Sequence, residues 1–102
     1  MTIQVTERAE KSFLEIKEYI TTSFGERRCE KFIKEVDEAA KILLLFPKSS
    51  QREPLLSHRK KEYRSAVIGE ITKMVYFIED DTIFVVDFWV CRRNPKILTQ
   101  GL

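Results

Sequence analysis

The sequence predicts an α+β domain in which a helical hairpin packs on one face of an antiparallel sheet, in the order β-α-α-β-β-β. Between residues 7 and 46, apolar residues recur at spacings of three and four, which is typical of amphipathic helices. Between residues 63 and 91, three segments rich in β-branched and aromatic residues are separated by short turns. The length of 102 residues fits a single domain, which we assign to residues 1–102.

The first strand and the first helix are predicted at the N-terminal end of the sequence. Ile3 and Val5 alternate with polar residues, which favours a short strand. Thr6 is a good N-cap for a following helix, and Gly25 suits the left-handed backbone that ends one. The helix between them has apolar residues at spacings of four, three, four and four, namely Ala9, Phe13, Ile16, Ile20 and Phe24.

A second, longer helix is predicted from Glu26 to Pro47, where proline ends it. Its apolar stripe consists of Cys29, Phe32, Ile33, Val36, Ala39, Ala40, Leu43 and Leu44. The connection at Gly25 is short, so the two helices are expected to form an antiparallel hairpin. Both stripes are wide, and they need a common apolar surface to cover.

The C-terminal half predicts a polar irregular stretch, 48–62, followed by three strands, 63–68, 71–78 and 82–91. Within the stretch, Leu55 and Leu56 are expected to attach it to the core. Pro95 ends the last strand, because proline cannot continue a central ladder.

The turns between these strands predict which side chains share a face of the sheet. If Gly69 and Glu70 form a two-residue turn, then Arg64 and Lys73 lie on the same face as diagonal neighbours. The same argument for the turn at Asp80-Asp81 places Phe88 opposite Lys73.

Composition excludes several classes of protein. Hydrophobic residues make up 43% of the chain and charged residues 33%, which is typical of a globular domain. No apolar run approaches a membrane span, and the first residues lack the pattern of a signal peptide, so we expect a soluble, cytoplasmic protein. Two cysteines and one histidine do not make a zinc site. We expect no metal and no cofactor, and we expect Cys29 and Cys91 to be buried reduced thiols.

Charge is unevenly distributed along the chain. Residues 1–46 carry 8 basic and 9 acidic side chains, whereas residues 47–102 carry 10 basic and 7 acidic ones. A basic half beside a neutral half indicates an anionic partner. The alternative interpretation is a solvated, lysine-rich surface. The cations concerned are Arg52, Arg59, Lys60, Lys61, Arg64, Lys73, Arg92 and Arg93.

These cations suit phosphate chemistry. Arginine binds phosphate in a bidentate manner and lysine supplies a point charge, so a metal-free ribonuclease could use them to stabilise the developing charge at phosphorus. Glu53 or His58 could serve as a base. The aromatic residues Tyr63, Phe88 and Trp89 could stack on RNA bases, although packing in the core is the alternative.

The order of elements and a series of short segments together resemble the RelE/ParE superfamily of toxins from bacterial toxin–antitoxin modules, some of which are labelled plasmid stabilisation proteins. The resemblance covers nearly the whole chain. The segments that carry it are Ile16-Lys17-Glu18-Tyr19-Ile20, Phe24-Gly25, Phe32-Ile33, Phe46-Pro47, Glu53-Pro54-Leu55, Tyr63-Arg64, Lys73-Met74-Val75-Tyr76 and Arg92-Arg93-Asn94-Pro95.

The resemblance implies a toxin that a cognate antitoxin neutralises. RelE-like members of the superfamily cut messenger RNA in the ribosomal A site without metal. In the branch related to YoeB, a Glu-Pro-Leu motif supplies an acidic base, which Glu53 matches, and Lys73 matches a basic residue before a Val-Tyr pair. Asn94 and Pro95 stand where that branch has catalytic histidine and tyrosine.

A ribosome-dependent endoribonuclease is therefore the first hypothesis. Its expected catalytic residues are Glu53, Arg64, Lys73 and Arg92, and its expected nucleic-acid-binding residues are Arg59, Lys60, Lys61 and Arg93. Two alternatives stay open. ParE-like members poison DNA gyrase and are not nucleases, and the first helix here looks more like ParE. A degenerate member would bind an antitoxin without being toxic.

Overall fold

A computed structural model of the chain describes residues 1–102 and shows two long helices packed on a five-stranded sheet. The helices are α1 (Glu7–Phe24), α2 (Glu26–Leu45) and α3 (Pro95–Thr99). The strands are β1 (Thr2–Val5), β2 (Gln51–Arg52), β3 (Arg64–Ile68), β4 (Thr72–Glu79) and β5 (Thr82–Val90), in the sheet order β1-β5-β4-β3-β2. The predicted fold class, a helical hairpin on one face of a sheet, is confirmed.

The helical hairpin begins, turns and ends where the sequence predicts. Thr6 caps α1, because its Oγ1 accepts a hydrogen bond of 3.2 Å from the backbone N–H of Ala9. Gly25 separates the two helices at φ +93°, a conformation that residues with a Cβ rarely adopt. Three members of the predicted apolar stripes, Phe24, Ile33 and Leu44, are exposed instead of packed.

The main core lies between the hairpin and one face of the sheet, which we call the helix face. Phe13 of α1 contacts Phe32 of α2 and Phe88 of β5, with ring centroids 5.6 and 5.3 Å apart. The main core has 11 buried members, which are Ala9, Ile16, Phe32, Leu43, Ala66, Ile68, Met74, Tyr76, Ile83, Val85 and Phe88.

A smaller apolar cluster lies on the other side of the sheet, which we call the opposite face. Its five buried members are Leu56, Val75, Val86, Trp89 and Leu98. The 3₁₀ turn at Pro54–Leu56 and the five-residue helix α3 contribute Leu56 and Leu98 to it, and Tyr63 and Leu102 pack against it. Of the two leucines expected to attach the loop to the core, Leu56 is buried, whereas Leu55 is exposed.

Three short elements lie outside the predicted order: β2, the 3₁₀ turn and α3. The last strand ends at Val90, before it reaches Pro95, the residue predicted to end it, and Asn94 and Pro95 begin α3 instead. Asn94 is the N-cap, because its Oδ1 accepts from Lys96 N at 2.9 Å, and Pro95 occupies the first turn.

The sheet is mixed, although the sequence predicts an antiparallel one. β1 pairs with β5 in parallel register, with Ile3 opposite Ile83. The two strands lie at opposite ends of the chain, so no turn connects them and no local pattern reveals their relative direction.

The predicted strand register is wrong for Arg64, Lys73 and Phe88. The first hairpin loop contains three residues, 69–71, since Ile68 pairs with Thr72 and Lys73 faces Val67. A β-bulge between Val75 and Tyr76 then shifts the next pair of strands by one residue. A slip of one residue moves a side chain to the other face.

The corrected register separates these residues. Lys73 lies opposite Trp89, and both side chains are on the opposite face. Arg64 pairs with Tyr76 on the helix face, and Phe88 is part of the main core. The predicted cationic face made of Arg64, Lys73 and Phe88 therefore does not form.

The two cysteines have different surroundings. Cys29 is a buried free thiol, as expected, whereas Cys91 is exposed because it lies just beyond β5, in the turn that follows. No helix of the chain combines the length and the apolar character that crossing a membrane requires.

Candidate functional site

Glu53 is at the centre of a buried polar cluster on the opposite face. Its carboxylate Oε2 accepts a hydrogen bond from Leu55 N at 2.9 Å, so that it caps the 3₁₀ turn that Pro54 begins. Its Oε1 accepts from Ser65 Oγ and from Lys73 Nζ, each at 2.9 Å. We call these three side chains, Glu53, Ser65 and Lys73, the Glu53 cluster.

The Glu53 cluster keeps its carboxylate charged. Burial alone would raise the pKa of Glu53, but the hydrogen bonds from Leu55, Lys73 and Ser65 and the charge of Lys73 together lower it below 4.5. Glu53 is 1% exposed, and both of its oxygens already accept hydrogen bonds. This arrangement makes Glu53 a weak base and a good structural anion.

Arg64 lies on the helix face of the sheet and holds the chain segment that follows α2. Its guanidinium donates to the backbone carbonyl of Ser50 at 2.6 Å and forms an ion pair with Glu62 at 3.1 Å. Its Nε is buried and has no hydrogen-bond partner. Next to it, burial raises the pKa of Tyr76, whose hydroxyl keeps its proton and donates to Pro47 O at 2.8 Å.

The cations after the 3₁₀ turn form a basic loop, residues 57–61. Arg59 donates to the backbone carbonyls of Leu102 and Thr99, which ties the loop to the C-terminal segment. Lys61 pairs with Glu79 at 3.2 Å, and its Nζ lies 4.3 Å from the centre of the Phe77 ring. Lys60 is exposed and makes no ion pair or hydrogen bond through its side chain.

Arg92 and Arg93 are exposed in the turn that follows β5. The backbone N–H of Arg93 donates to Val90 O at 3.0 Å, while neither arginine side chain forms an ion pair. They follow Trp89, the register partner of Lys73, and so lie at the same end of the sheet as Lys73. They do not take part in the Glu53 cluster.

The aromatic residues considered for base stacking are packed within the protein. Trp89 is 1% exposed, and its indole N–H donates to Asp87 at 3.0 Å. Tyr63 packs edge to face on Phe77 at 5.7 Å, and Phe88 is buried in the main core. Core packing, the alternative interpretation, is confirmed for Phe88 and Trp89, whereas Tyr63 is half-buried and borders a surface cavity.

Asp87 is a structural residue that the sequence reasoning missed. This buried carboxylate accepts hydrogen bonds from Ser12 Oγ at 2.6 Å and from Trp89, and it pairs with Arg8 at 3.2 Å. Arg8 also donates to Leu98 O at 3.2 Å, so that α1, β5 and α3 are connected. The available signal was a single acid in the apolar run from Ile83 to Val90.

The comparisons with known proteins identify the family. A family model described as "ParE toxin of type II toxin-antitoxin system, parDE" matches residues 3–95. The chain belongs to the ParE toxin family. Membership confirms the predicted relation to the RelE/ParE superfamily, and with it a toxin of a type II toxin–antitoxin system. No curated protein sequence gives a significant match.

The fold is shared with a solved ParE-containing structure. A chain described as "Chromosomal ParDE TA system from P. aeruginosa" superposes with a TM-score of 0.68 at 14% sequence identity. The alignment covers 86% of this chain and 92% of that chain. At this identity the similarity concerns the fold.

Within this ParE-family chain, the residues predicted as catalytic do not meet at one point. Glu53 and Lys73 are in contact at 2.9 Å. Arg64 lies on the helix face, across the sheet from these two residues, and Arg92 lies beyond the end of β5. Of the residues predicted to bind nucleic acid, Arg59, Lys60 and Lys61 share the basic loop, and Arg93 lies apart in the turn after β5.

Proposed function

We propose that this ParE-family toxin acts by binding DNA gyrase and that it does not cut RNA. The observation that supports the proposal is the Glu53 cluster. A carboxylate whose oxygens are bonded and whose pKa is lowered below 4.5 is poorly suited to accept a proton at neutral pH. Gyrase is proposed as the target because this chain resembles ParE-like toxins, which poison DNA gyrase and are not nucleases.

The remaining candidates for ribonuclease chemistry also favour this proposal. General acid–base catalysis needs groups within hydrogen-bonding reach of one reacting centre. Here Arg64 is bound to backbone carbonyls and to Glu62 on the far side of the sheet from Lys73. Asn94 and Pro95 begin α3, where the YoeB-like branch has catalytic histidine and tyrosine.

We further propose that a cognate antitoxin binds and neutralises the toxin. Exposed apolar patches on small proteins mark interaction surfaces. Ile42, Leu45 and Phe46 lie at spacings of three and one near the end of α2, with exposures of 53%, 73% and 64%. A partner helix with an apolar stripe fits this surface, and acidic residues in the partner would complement the basic loop.

A supercoiling assay with purified toxin and gyrase tests the proposed target. We expect concentration-dependent inhibition of supercoiling together with a trapped DNA-cleavage complex. A cell-free translation reaction with toe-print mapping serves as the second arm, in which we expect no codon-specific cleavage. Cleavage in the translation arm without any effect on gyrase would overturn the proposal. Growth after induction in a bacterial host, without arrest, would indicate the non-toxic alternative.

A further inference from the structure

The basic loop borders an open cavity of about 470 Å³ that Glu53 and Tyr63 also line. Four cations line it: Arg52, Arg59, Lys60 and Lys61. Two carboxylates belong to its walls, but Glu53 is already paired with Lys73, and Glu62 is shared between Arg52 and Arg64. The cavity therefore presents an excess of positive charge.

The cavity is held in shape by the surrounding structure. The backbone N–H of Glu53 donates to Tyr63 O at 2.8 Å, which closes the base of the loop. Leu56 is 1% exposed within the cluster on the opposite face. Arg59 is fixed to the C-terminal segment, and Lys61 is held over Phe77. A cavity formed in advance binds its ligand with a smaller loss of conformational entropy.

The chemistry of the walls favours phosphate groups. Arginine and lysine are the main contacts to the nucleic-acid backbone. Lys60 is free, and the ion pair of Lys61 with Glu79 joins half-exposed groups, which hold each other weakly. Recognition of a splayed single strand uses aromatic rings that are free to stack on bases, whereas Tyr63, the aromatic residue of the cavity wall, is half-buried and already packs edge to face on Phe77. A duplex needs no such rings.

We propose that the cavity beside the basic loop binds the phosphate backbone of duplex DNA. The proposal rests on the proposed function only in that gyrase would present this duplex to the toxin. Binding to the DNA itself requires nothing but the chain and a duplex. Sequence preference is not expected, because contacts to phosphate carry no base information.

Fluorescence anisotropy with the full chain and a labelled duplex of about 20 base pairs tests the proposal, with salt as the variable. We expect affinity to fall as salt rises. Lys60→Ala should weaken binding several-fold and reduce the slope of log affinity against log salt by about 1. The matched control is Lys34→Ala, which removes an exposed lysine on α2, far along the chain from the loop. This substitution should leave the affinity and the salt slope unchanged.

Several outcomes would overturn the proposal: no binding to the duplex, an equal loss in Lys34→Ala, or tighter binding to a single strand of the same length. Competition by polyglutamate at lower concentrations than by duplex would assign the cavity to an acidic protein instead. Inhibition of gyrase without DNA binding refutes this inference and leaves the proposed function. DNA binding without inhibition of gyrase refutes the proposed function and leaves this inference.

Discussion

The helix face and the opposite face of the sheet are stabilised in different ways. The helix face buries 11 residues, all apolar except for the hydroxyl of Tyr76, under two long helices. The opposite face buries five apolar residues and adds the ion pair and hydrogen bonds of the Glu53 cluster. The difference indicates that the helix face is held by apolar packing, whereas the opposite face combines a smaller apolar cluster with a paired, buried carboxylate.

The largest expected effect comes from a cavity on the helix face. Phe88→Ala should lower the free energy of unfolding by about 3–5 kcal/mol, because a buried aromatic ring that contacts Phe13 is removed. Urea denaturation measures the change. Val67→Ala is the control, since Val67 is 67% exposed, and a surface change of this kind costs about 0.5 kcal/mol or less. Equal effects of the two substitutions would contradict the account of this face.

A smaller effect is expected from the Glu53 cluster on the opposite face. A double-mutant cycle of Glu53→Gln and Lys73→Met should give a coupling energy of about 2 kcal/mol, since a hydrogen-bonded ion pair with one buried partner is lost. Urea denaturation of the four proteins supplies the numbers. Strictly additive single substitutions would mean that the pair does not hold the loop.

The two faces also differ in how far their features could be predicted. The caps Thr6 and Gly25 and both helices follow from local patterns, because helix signals lie within a few residues of each other. The strand register does not, since neither the three-residue loop 69–71 nor the bulge at Val75 has a distinct sequence signal. Errors of one residue there moved Arg64 and Lys73 onto the same predicted face.

The sequence predicts which residue types the candidate site contains, but it does not predict which of them are in contact. The basic residues 59–61 are visible as a run in the sequence. The contact between Glu53 and Lys73 joins residues twenty positions apart, and it depends on the path of the 3₁₀ turn and on the register of β4. Neither follows from periodicity, so the sequence alone does not predict the hydrogen bonds that occupy both oxygens of the Glu53 carboxylate.

The smallest expected effect is a difference in pH dependence. The folded state lowers the pKa of Glu53 below 4.5, so the folded protein binds its proton less readily than the unfolded chain does. The stabilisation is therefore complete above the unfolded pKa and is lost as the pH falls through the folded one. As the pH falls below the ordinary pKa of a glutamate, the urea midpoint of the wild type should fall more steeply than that of Glu53→Gln. If the urea midpoints of the two proteins fell in parallel with pH, other carboxylates would account for the acid sensitivity.

The most direct test of a structural Glu53 is the toxicity of Glu53→Gln, measured as gyrase inhibition by the purified variant at a temperature where circular dichroism shows it folded. We expect wild type and variant to inhibit supercoiling at concentrations within about threefold, because inhibition by binding uses no general base, whereas loss of such a base would lower the rate of a ribonuclease about 10²–10⁴-fold. The contradicting result is messenger RNA cleavage on the ribosome by the wild type that a folded Glu53→Gln variant has lost.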